Sequence, residues 1–302
     1  VAHLELERIK HLPAFRKISI GTWRTAYDPS VYGTMEIEMD AAMDYLRRYR
    51  EATGVRLTVS HMMARVMAAA LERIPDANAL MRGSRIYRRK RISIFFQVAM
   101  TDEGDEGKVD LSGTVLHDVD KMSLAEIVTT FDDKVDKVRK RTDETLEKTR
   151  RSFMRMPAWA MHRLLRFTSF LLYTLNWKAP GLPRDAFGSL MITNIGTLGL
   201  DVAYAPLVPF SRVPILIAMG AVKAVPIVRD GQVVVGQTMK VSATFDHRFI
   251  DGFHAAVMSK VVHQWFEHPD AHFGPIPGGR ERAAAGHRPG LSPAPPTPSP
   301  SS

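Results

Sequence analysis

His247 and Asp251 stand four residues apart in the stretch Ser242–Phe253, which reads Ser-Ala-Thr-Phe-Asp-His-Arg-Phe-Ile-Asp-Gly-Phe. An imidazole has its ordinary pKa near neutrality, so His247 is a candidate for proton transfer. Asp251 adds a nearby anion or a structural ion-pair partner. Gly252 lets the backbone turn sharply where a Cβ would obstruct. The same three positions also suit a histidine that only satisfies hydrogen bonds at a strand end. Ahead of them Met239, Val241, Ala243 and Phe245 alternate as a half-buried strand does. Behind them Val257, Met258, Val261, Val262 and Trp265 recur at helical spacing. The histidine therefore sits where a strand ends and a helix begins, a place that faces a cleft rather than a core.

The 302 residues carry 45% hydrophobic content, enough for one large core or two small ones. A net charge of +9 favours anionic partners: phosphorylated cofactors, acidic protein surfaces, anionic lipid or nucleic acid. The chain has no cysteine, which excludes a catalytic thiolate, a disulfide framework, thiolate metal sites and an acyl-cysteine intermediate. Val1–Pro13 mixes charges with apolar residues and lacks the apolar run of a signal peptide, so a cytoplasmic protein is expected.

Asp246–Gly252 resembles the Asp-His-Arg-x-x-Asp-Gly signature of one family: the catalytic domain of dihydrolipoamide acyltransferases, components of 2-oxo acid dehydrogenase complexes. The neighbouring Asp-Gly-Phe-His is also similar to chloramphenicol acetyltransferase, which shares that fold. Phe187–Leu200 reads as a strand running into a glycine turn and resembles the family's Gly-Thr-Phe-Thr-Ile-Ser/Thr-Asn-Leu-Gly. Read alone, a threonine there reflects β-propensity. The resemblance implies that the Thr193 hydroxyl steadies a tetrahedral intermediate, with Asn194 a structural neighbour. Ala14–Arg24 resembles the family's Met-Arg-Lys-Ala-Ile-Ala stretch and aligns Arg16, which the resemblance pairs with Asp251. Leu57–His61 and Ile74–Asn78 match further family text. The chain departs from the family at 107–113, where Gly-Lys-Val-Asp-Leu-Ser-Gly replaces an apolar run, and at Val208–Ser211, where Asn-Pro-Pro-Gln is usual.

The remaining elements follow from pattern. Tyr32–Met39 reads as a strand, Asp40–Thr53 as a helix capped by its first carboxylate, and Leu57–Ile74 as a helix capped by Thr58 or Ser60. Arg82–Arg91 is a basic hairpin, read as a solvated edge with phosphate binding as the alternative. Ile92–Met100 and Leu111–Val119 are strands around an acidic turn, and Lys121–Arg151 is a long charged helix. Arg155–Trp177 sets Met156, Trp159, Leu164, Phe167, Phe170, Leu171 and Leu175 against a stripe of Arg155, His162, Arg166 and Ser169. It is expected to cover the body or a subunit contact, with membrane-surface attachment as the less favoured reading. Ile215–Met219, Ala224–Val228 and Gln232–Val235 read as strands around an Arg229-Asp230-Gly231 turn. His263, His268 and His272 have no metal-site spacing, so no metal is expected. The last 28 residues hold 8 of the 19 prolines and read as a disordered tail.

The resemblance implies a mixed α/β two-layer sandwich of chloramphenicol acetyltransferase type, a mixed sheet with flanking helices. Residues 1–273 would form one acyltransferase domain carrying an apolar helical insertion over 153–180, with 274–302 as the tail. It further implies a homotrimer with His247 of one chain meeting Thr193 of the next, coenzyme A as acyl carrier, and a lipoyl-bearing protein as partner, with no nucleic acid. The expected reaction is acyl transfer between coenzyme A and a thiol such as dihydrolipoamide. Two alternatives stay open: O- or N-acetylation of a small molecule, and a non-catalytic scaffold of the same fold.

Overall fold

Alternating apolar residues build most of the strands, and the computed structural model places them in two sheets. It describes residues 5–8, 29–101, 109–139, 158–177 and 184–277. The strands are β1 (Leu6–Arg8), β2 (Ser30–Glu38), β3 (Ala79–Arg82), β4 (Arg85–Arg89), β5 (Ser93–Thr101), β6 (Val109–His117), β7 (Leu190–Asn194), β8 (Ile215–Arg229) and β9 (Gln232–Asp246). The helices are α1 (Asp40–Thr53), α2 (Val59–Arg73), α3 (Leu124–Arg139), α4 (Ala158–Ser169), α5 (Gly252–Glu267) and α6 (Pro269–His272). The larger sheet runs β2-β9-β8-β7-β5-β6, with β7 parallel to both neighbours and the other pairs antiparallel. The smaller sheet is β1-β4-β3.

Period-two alternation decides what each strand residue faces. Ile94, Phe96, Ile192, Ile217, Val241 and Ala243 point to the helix side, where they pack with Met62, Met67, Ile127, Val262 and Phe266. Their neighbours Met191, Leu216 and Ala218 face the other way. There the segment after β7 lays Ala203, Ala205, Leu207 and Val208 over them. The sheet is thus sandwiched between helices and an irregular chain segment. The body reaches slightly past 273: Ile276 packs on the core, and the Tyr45 hydroxyl donates to the Gly274 carbonyl at 3.1 Å. Residues 278–302 lie outside the described residues, as does the acidic turn at 102–108.

Four expectations need correction. Asp40 does not cap α1; Met39 is the N-cap and makes no side-chain cap. The Asp40 carboxylate instead accepts from the Gln237 amide at 3.0 Å and from Arg229 at 2.9 Å, tying α1 to the β8–β9 hairpin. Second, the expected short strands fuse into two long ones, β8 and β9, with a bulge between Met219 and Val222. Asp230 and Gly231 turn the hairpin, both at positive φ. Third, the arginines of 82–91 are not merely a solvated edge. Arg89 is buried against Asp185 at 2.6 Å, Arg88 meets Asp76 at 2.6 Å, Arg91 clasps Asp118, and Arg82 donates to the Thr174 carbonyl at 2.7 Å. Each partner is remote in sequence, so the run alone could not show it.

Fourth, α4 presents a different face. Ser169, placed on the polar stripe, is buried and accepts from Arg212 Nε at 3.3 Å, while Tyr173 packs on Leu80. Phe167, Phe170 and Trp177 are exposed. A half-buried guanidinium needs acceptors for its shielded donors, and the inward-facing serine supplies one. A π-helical turn over Phe170–Thr174 then shifts the 3.6-residue period. No helix among the described residues is long and apolar enough to cross a membrane.

Thr58 caps α2 through an unusual capping box. Its hydroxyl accepts from the His61 amide at 3.4 Å, and His61 Nδ1 accepts from the Thr58 amide at 3.3 Å. An amide can only donate, so Nδ1 is unprotonated and the neutral ring carries its proton on Nε2. The ring is buried edge-on to Phe131. Burial pushes its pKa down to about 4. A histidine whose folded pKa is depressed binds fewer protons than the unfolded chain between the two values. Its stabilising contribution is therefore complete above pH 6.5 and is lost as pH falls through 6.5 toward 4, by up to about 3 kcal/mol. His61→Gln keeps the cap without the titrating ring. Urea midpoints measured from pH 7 to pH 4.5 should fall less steeply in that variant than in wild type. Identical slopes would remove His61 as the cause.

Candidate active site

The residues around His247 form a short, heavily tied turn. The Asp246 amide donates to the Pro214 carbonyl at 2.9 Å, closing the end of β9 on β8. The amides of Phe249 and Ile250 return to the Asp246 carbonyl at 3.3 and 3.0 Å. Arg248 Nε donates to Asp246 Oδ1 at 2.9 Å, so an ion pair straddles the histidine. The His247 amide donates to the Pro29 carbonyl at 2.9 Å, and Phe249 and Ile250 are buried beneath the turn. Asp246 and Arg248 are fixed positions of the signature that Asp246–Gly252 resembles, but neither had been given a role. Opposite charges two residues apart around a histidine were the available signal.

His247 Nδ1 lies 2.9 Å from the Ile250 carbonyl oxygen. That oxygen can only accept, so Nδ1 carries the proton and Nε2 holds the lone pair. The main chain thus selects the tautomer that makes Nε2 the basic nitrogen. Asp251 is the N-cap of α5: its Oδ1 accepts from the His254 amide at 3.2 Å and lies 2.6 Å from His254 Nδ1. His254 is a contact that the sequence reading missed. Arg16, the expected partner of Asp251, lies outside the described residues. Gly252 is the first residue of α5, has no left-handed φ, and an added Cβ there would meet nothing within 4 Å among the described residues. The steric reason expected for this glycine is therefore absent among the described residues.

Thr193 and Asn194 close β7. By alternation Thr193 shares the face of Met191, away from the helices, while Asn194 points to them and donates to Ser60 Oγ at 3.2 Å. The Asn194 side chain and carbonyl also hold Thr197, through its amide at 3.3 Å and its hydroxyl at 2.9 Å. The turn then docks on the β8 bulge: the Ile195 amide donates to Met219 at 2.9 Å, and the Ala221 amide to Leu200 at 3.1 Å. Backbone meets backbone here. A Cβ on Gly196 would lie 2.6 Å from the Gly220 oxygen, and one on Gly220 would lie 2.2 Å from the Asp201 oxygen.

Within one chain the threonine and the histidine turn are far apart. Asp246 stands opposite Pro214, and Thr193 opposite Ala218, two strands over. Two strand spacings and four residues along the strand separate them by about 16 Å. His263, His268 and His272 do not converge: His263 Nδ1 meets Glu267 at 2.9 Å, and His272 stacks on Trp265.

The family model for the 2-oxoacid dehydrogenases acyltransferase (catalytic domain) matches residues 14–154 and 186–273. The chain belongs to this family. The unmatched 155–185 contains α4 and overlaps the insertion expected at 153–180. A dihydrolipoyllysine-residue succinyltransferase component of a 2-oxoglutarate dehydrogenase complex from Bartonella vinsonii subsp. berkhoffii is 26% identical over 239 residues, covering 78% of this chain. The chain spans only 47% of that relative's length. Two solved folds are similar. A dihydrolipoamide acetyltransferase of Azotobacter vinelandii, studied for the catalytic role of a serine, a histidine and an asparagine, superposes with a TM-score of 0.59 at 20% identity. A probable dihydrolipoamide acetyltransferase from Listeria monocytogenes 4b F2365 gives 0.58 at 14%. These cover 87% and 86% of this chain and 93% and 94% of the others. The sandwich is thus the family's fold.

The docked glycines predict a measurable cost. Gly220→Ala forces backbone against backbone and should lower unfolding stability by about 1–3 kcal/mol. Gly33→Ala on β2, where an added Cβ meets nothing within 4 Å, is the control and should change little. Urea unfolding of both variants checks this, and equal effects would remove the bulge contact as the cause.

Proposed function

We propose that this chain is an acyltransferase catalytic domain that moves an acyl group between coenzyme A and a thiol acceptor of the dihydrolipoamide type. The observation that carries the reading is the His247 tautomer, set by the Ile250 carbonyl so that Nε2 is the base. In the proposed reaction Nε2 takes the proton of the incoming thiol as its sulfur attacks the thioester carbonyl carbon. The Thr193 hydroxyl donates to the oxyanion of the tetrahedral intermediate, a contribution of about 3 kcal/mol in comparable sites. The carbon–sulfur bond to the departing thiol breaks, and imidazolium returns the proton to that sulfur. No acyl-enzyme forms. Asp251 holds the loop as a helix cap and does not relay protons.

The reading includes a homotrimer in which His247 of one chain meets Thr193 of the next. The separation of about 16 Å within a chain supports it, because a hydroxyl that far away cannot hydrogen-bond an oxyanion formed at Nε2. A band of exposed apolar residues on the outer layer also supports it: Tyr32, Leu198, Leu200, Val202 and Tyr204. Tyr32 and Tyr204 already meet edge to face at 5.5 Å, and the Tyr204 hydroxyl lies 2.6 Å from Thr34 Oγ1. A rigid aromatic surface of this kind suits a subunit contact.

Acyl-CoA turnover against dihydrolipoamide, with hydroxyl and amine acceptors alongside, tests the chemistry. His247→Ala should lower turnover by about two orders of magnitude or more, and Thr193→Ala by about two. The two variants together test the shared site. Trimers assembled from equal amounts of each should recover about a quarter of wild-type activity, since half the chains offer the histidine and half the threonine. Near-normal turnover by His247→Ala ends the mechanism. Failure of the mixture to recover any activity ends the intersubunit site.

A further inference from the structure

We propose that the cavity between the small sheet and the start of β5 is a binding site for a small oxyanion, a carboxylate or phosphate group, received by Arg89. The cavity has a volume of about 190 Å³ and is lined by Glu5, Leu6, Arg89, Arg91, His117, Arg184 and Asp185. Three arginines line it, and each meets a carboxylate: Arg89 with Asp185, Arg91 with Asp118 and Arg184 with Glu5.

Arg89 is the centre of the argument. Its side chain is 3% exposed. Asp185 holds Nη1 at 2.6 Å, yet Nε and Nη2 are buried with no hydrogen-bond partner. Those two N–H groups lie on one edge of the guanidinium and point the same way. It is the edge that Arg91 uses on Asp118 and Arg248 uses on Asp246. Two parallel donors match two oxygens of a carboxylate or phosphate. Buried charged donors are rarely left unmade in folded proteins. Both nitrogens are sealed from solvent, so an acceptor reaches them only if the lining around Arg89 gives way. Asp185 fixes the fork in advance, which lowers the ordering that a ligand would have to impose.

The other groups fit an oxyanion without claiming the fork themselves. Arg91 is engaged by Asp118, just outside the lining, and Arg184 Nη2 lies 3.3 Å from Glu5 Oε1. His117 Nδ1 lies 2.9 Å from Ser93 Oγ, and burial lowers its pKa, so it adds a neutral polar wall. The cavity belongs to what distinguishes this chain. Arg184 and Asp185 fall in the 155–185 stretch that the family model does not match. It is also remote from His247, because β5 lies three strands from β9, about 14 Å across the sheet.

The test is titration of the full chain with inorganic phosphate and, separately, with succinate, at an ionic strength held constant with chloride. Thermal unfolding and the NMR resonance of the Arg89 Nε–H report binding; the second needs no variant. One of the two anions should raise Tm beyond chloride and shift that resonance, and which one does so tells phosphate from carboxylate. Arg89→Lys keeps the charge but loses the fork and should weaken binding by about tenfold or more. Arg184→Ser, at the exposed rim, should weaken it less and serves if the buried variant does not fold. No effect beyond chloride on either signal would overturn the proposal. So would unchanged affinity in both variants. Displacement of phosphate by coenzyme A would make the cavity part of the acyl-donor site and overturn its separateness.

Discussion

A β-sheet holds its residues at fixed intervals, and one such interval governs this molecule. Thr193 ends a strand that runs parallel to both neighbours, so it leaves the sheet in the opposite direction to β9, two strands over and four residues along from the turn that closes β9. No side-chain rotamer bridges the roughly 16 Å between them. On the proposed intersubunit reading these are two half-sites, and the chain makes each of them rigid by itself. In one, main-chain bonds and the Asp246–Arg248 pair hold the histidine turn. In the other, glycines let the threonine turn rest directly on the β8 bulge. Rigid halves are what a site completed by a second copy requires, because neither half can adjust after docking without losing geometry.

Several cations of this basic chain pair with carboxylates of other segments. Arg48 reaches Asp270, Arg229 reaches Glu38 and Asp40, Lys223 reaches Asp201, and Arg89 reaches Asp185. These ties join segments far apart in sequence. The exposed ones contribute little energy each, and their role is register: Arg229 fixes the long hairpin against α1. Arg89 differs. It is buried, its charge is met by one carboxylate, and half of its donors are unused. A guanidinium in that state is costly unless something completes it.

Much of this was legible in the sequence, and the limits have identifiable causes. The strand-to-helix junction at His247, the strand and glycine turn at Thr193 and the cap of α2 all follow from short-range pattern, and each stands where that pattern put it. What pattern could not show depended on partners remote in sequence. Asp40 looks like a cap until Gln237 and Arg229 claim its carboxylate. Ser169 looks solvent-facing until Arg212 arrives from beneath. The three short strands look separate because a hairpin that leaves the sheet, with Val228, Val233 and Val235 exposed, loses the inward–outward contrast on which alternation depends.

The inserted segment brings these threads together. Its α4 carries an inward serine that answers the half-buried Arg212, and its Asp185 carboxylate answers the buried Arg89. Asp185 sits at φ 48, a conformation that only short polar side chains tolerate readily, so its position is set by that contact rather than by backbone preference. Arg89 lies on β4, inside the matched part of the family domain, whereas its counter-ion comes from the part that is not matched. Insertion and body are therefore coupled through charge: remove the segment, and the smaller sheet is left with an unpaired buried cation. An insertion held by such contacts is a built component of the domain, with its aromatic residues Phe167, Phe170 and Trp177 turned outward from a firmly anchored base.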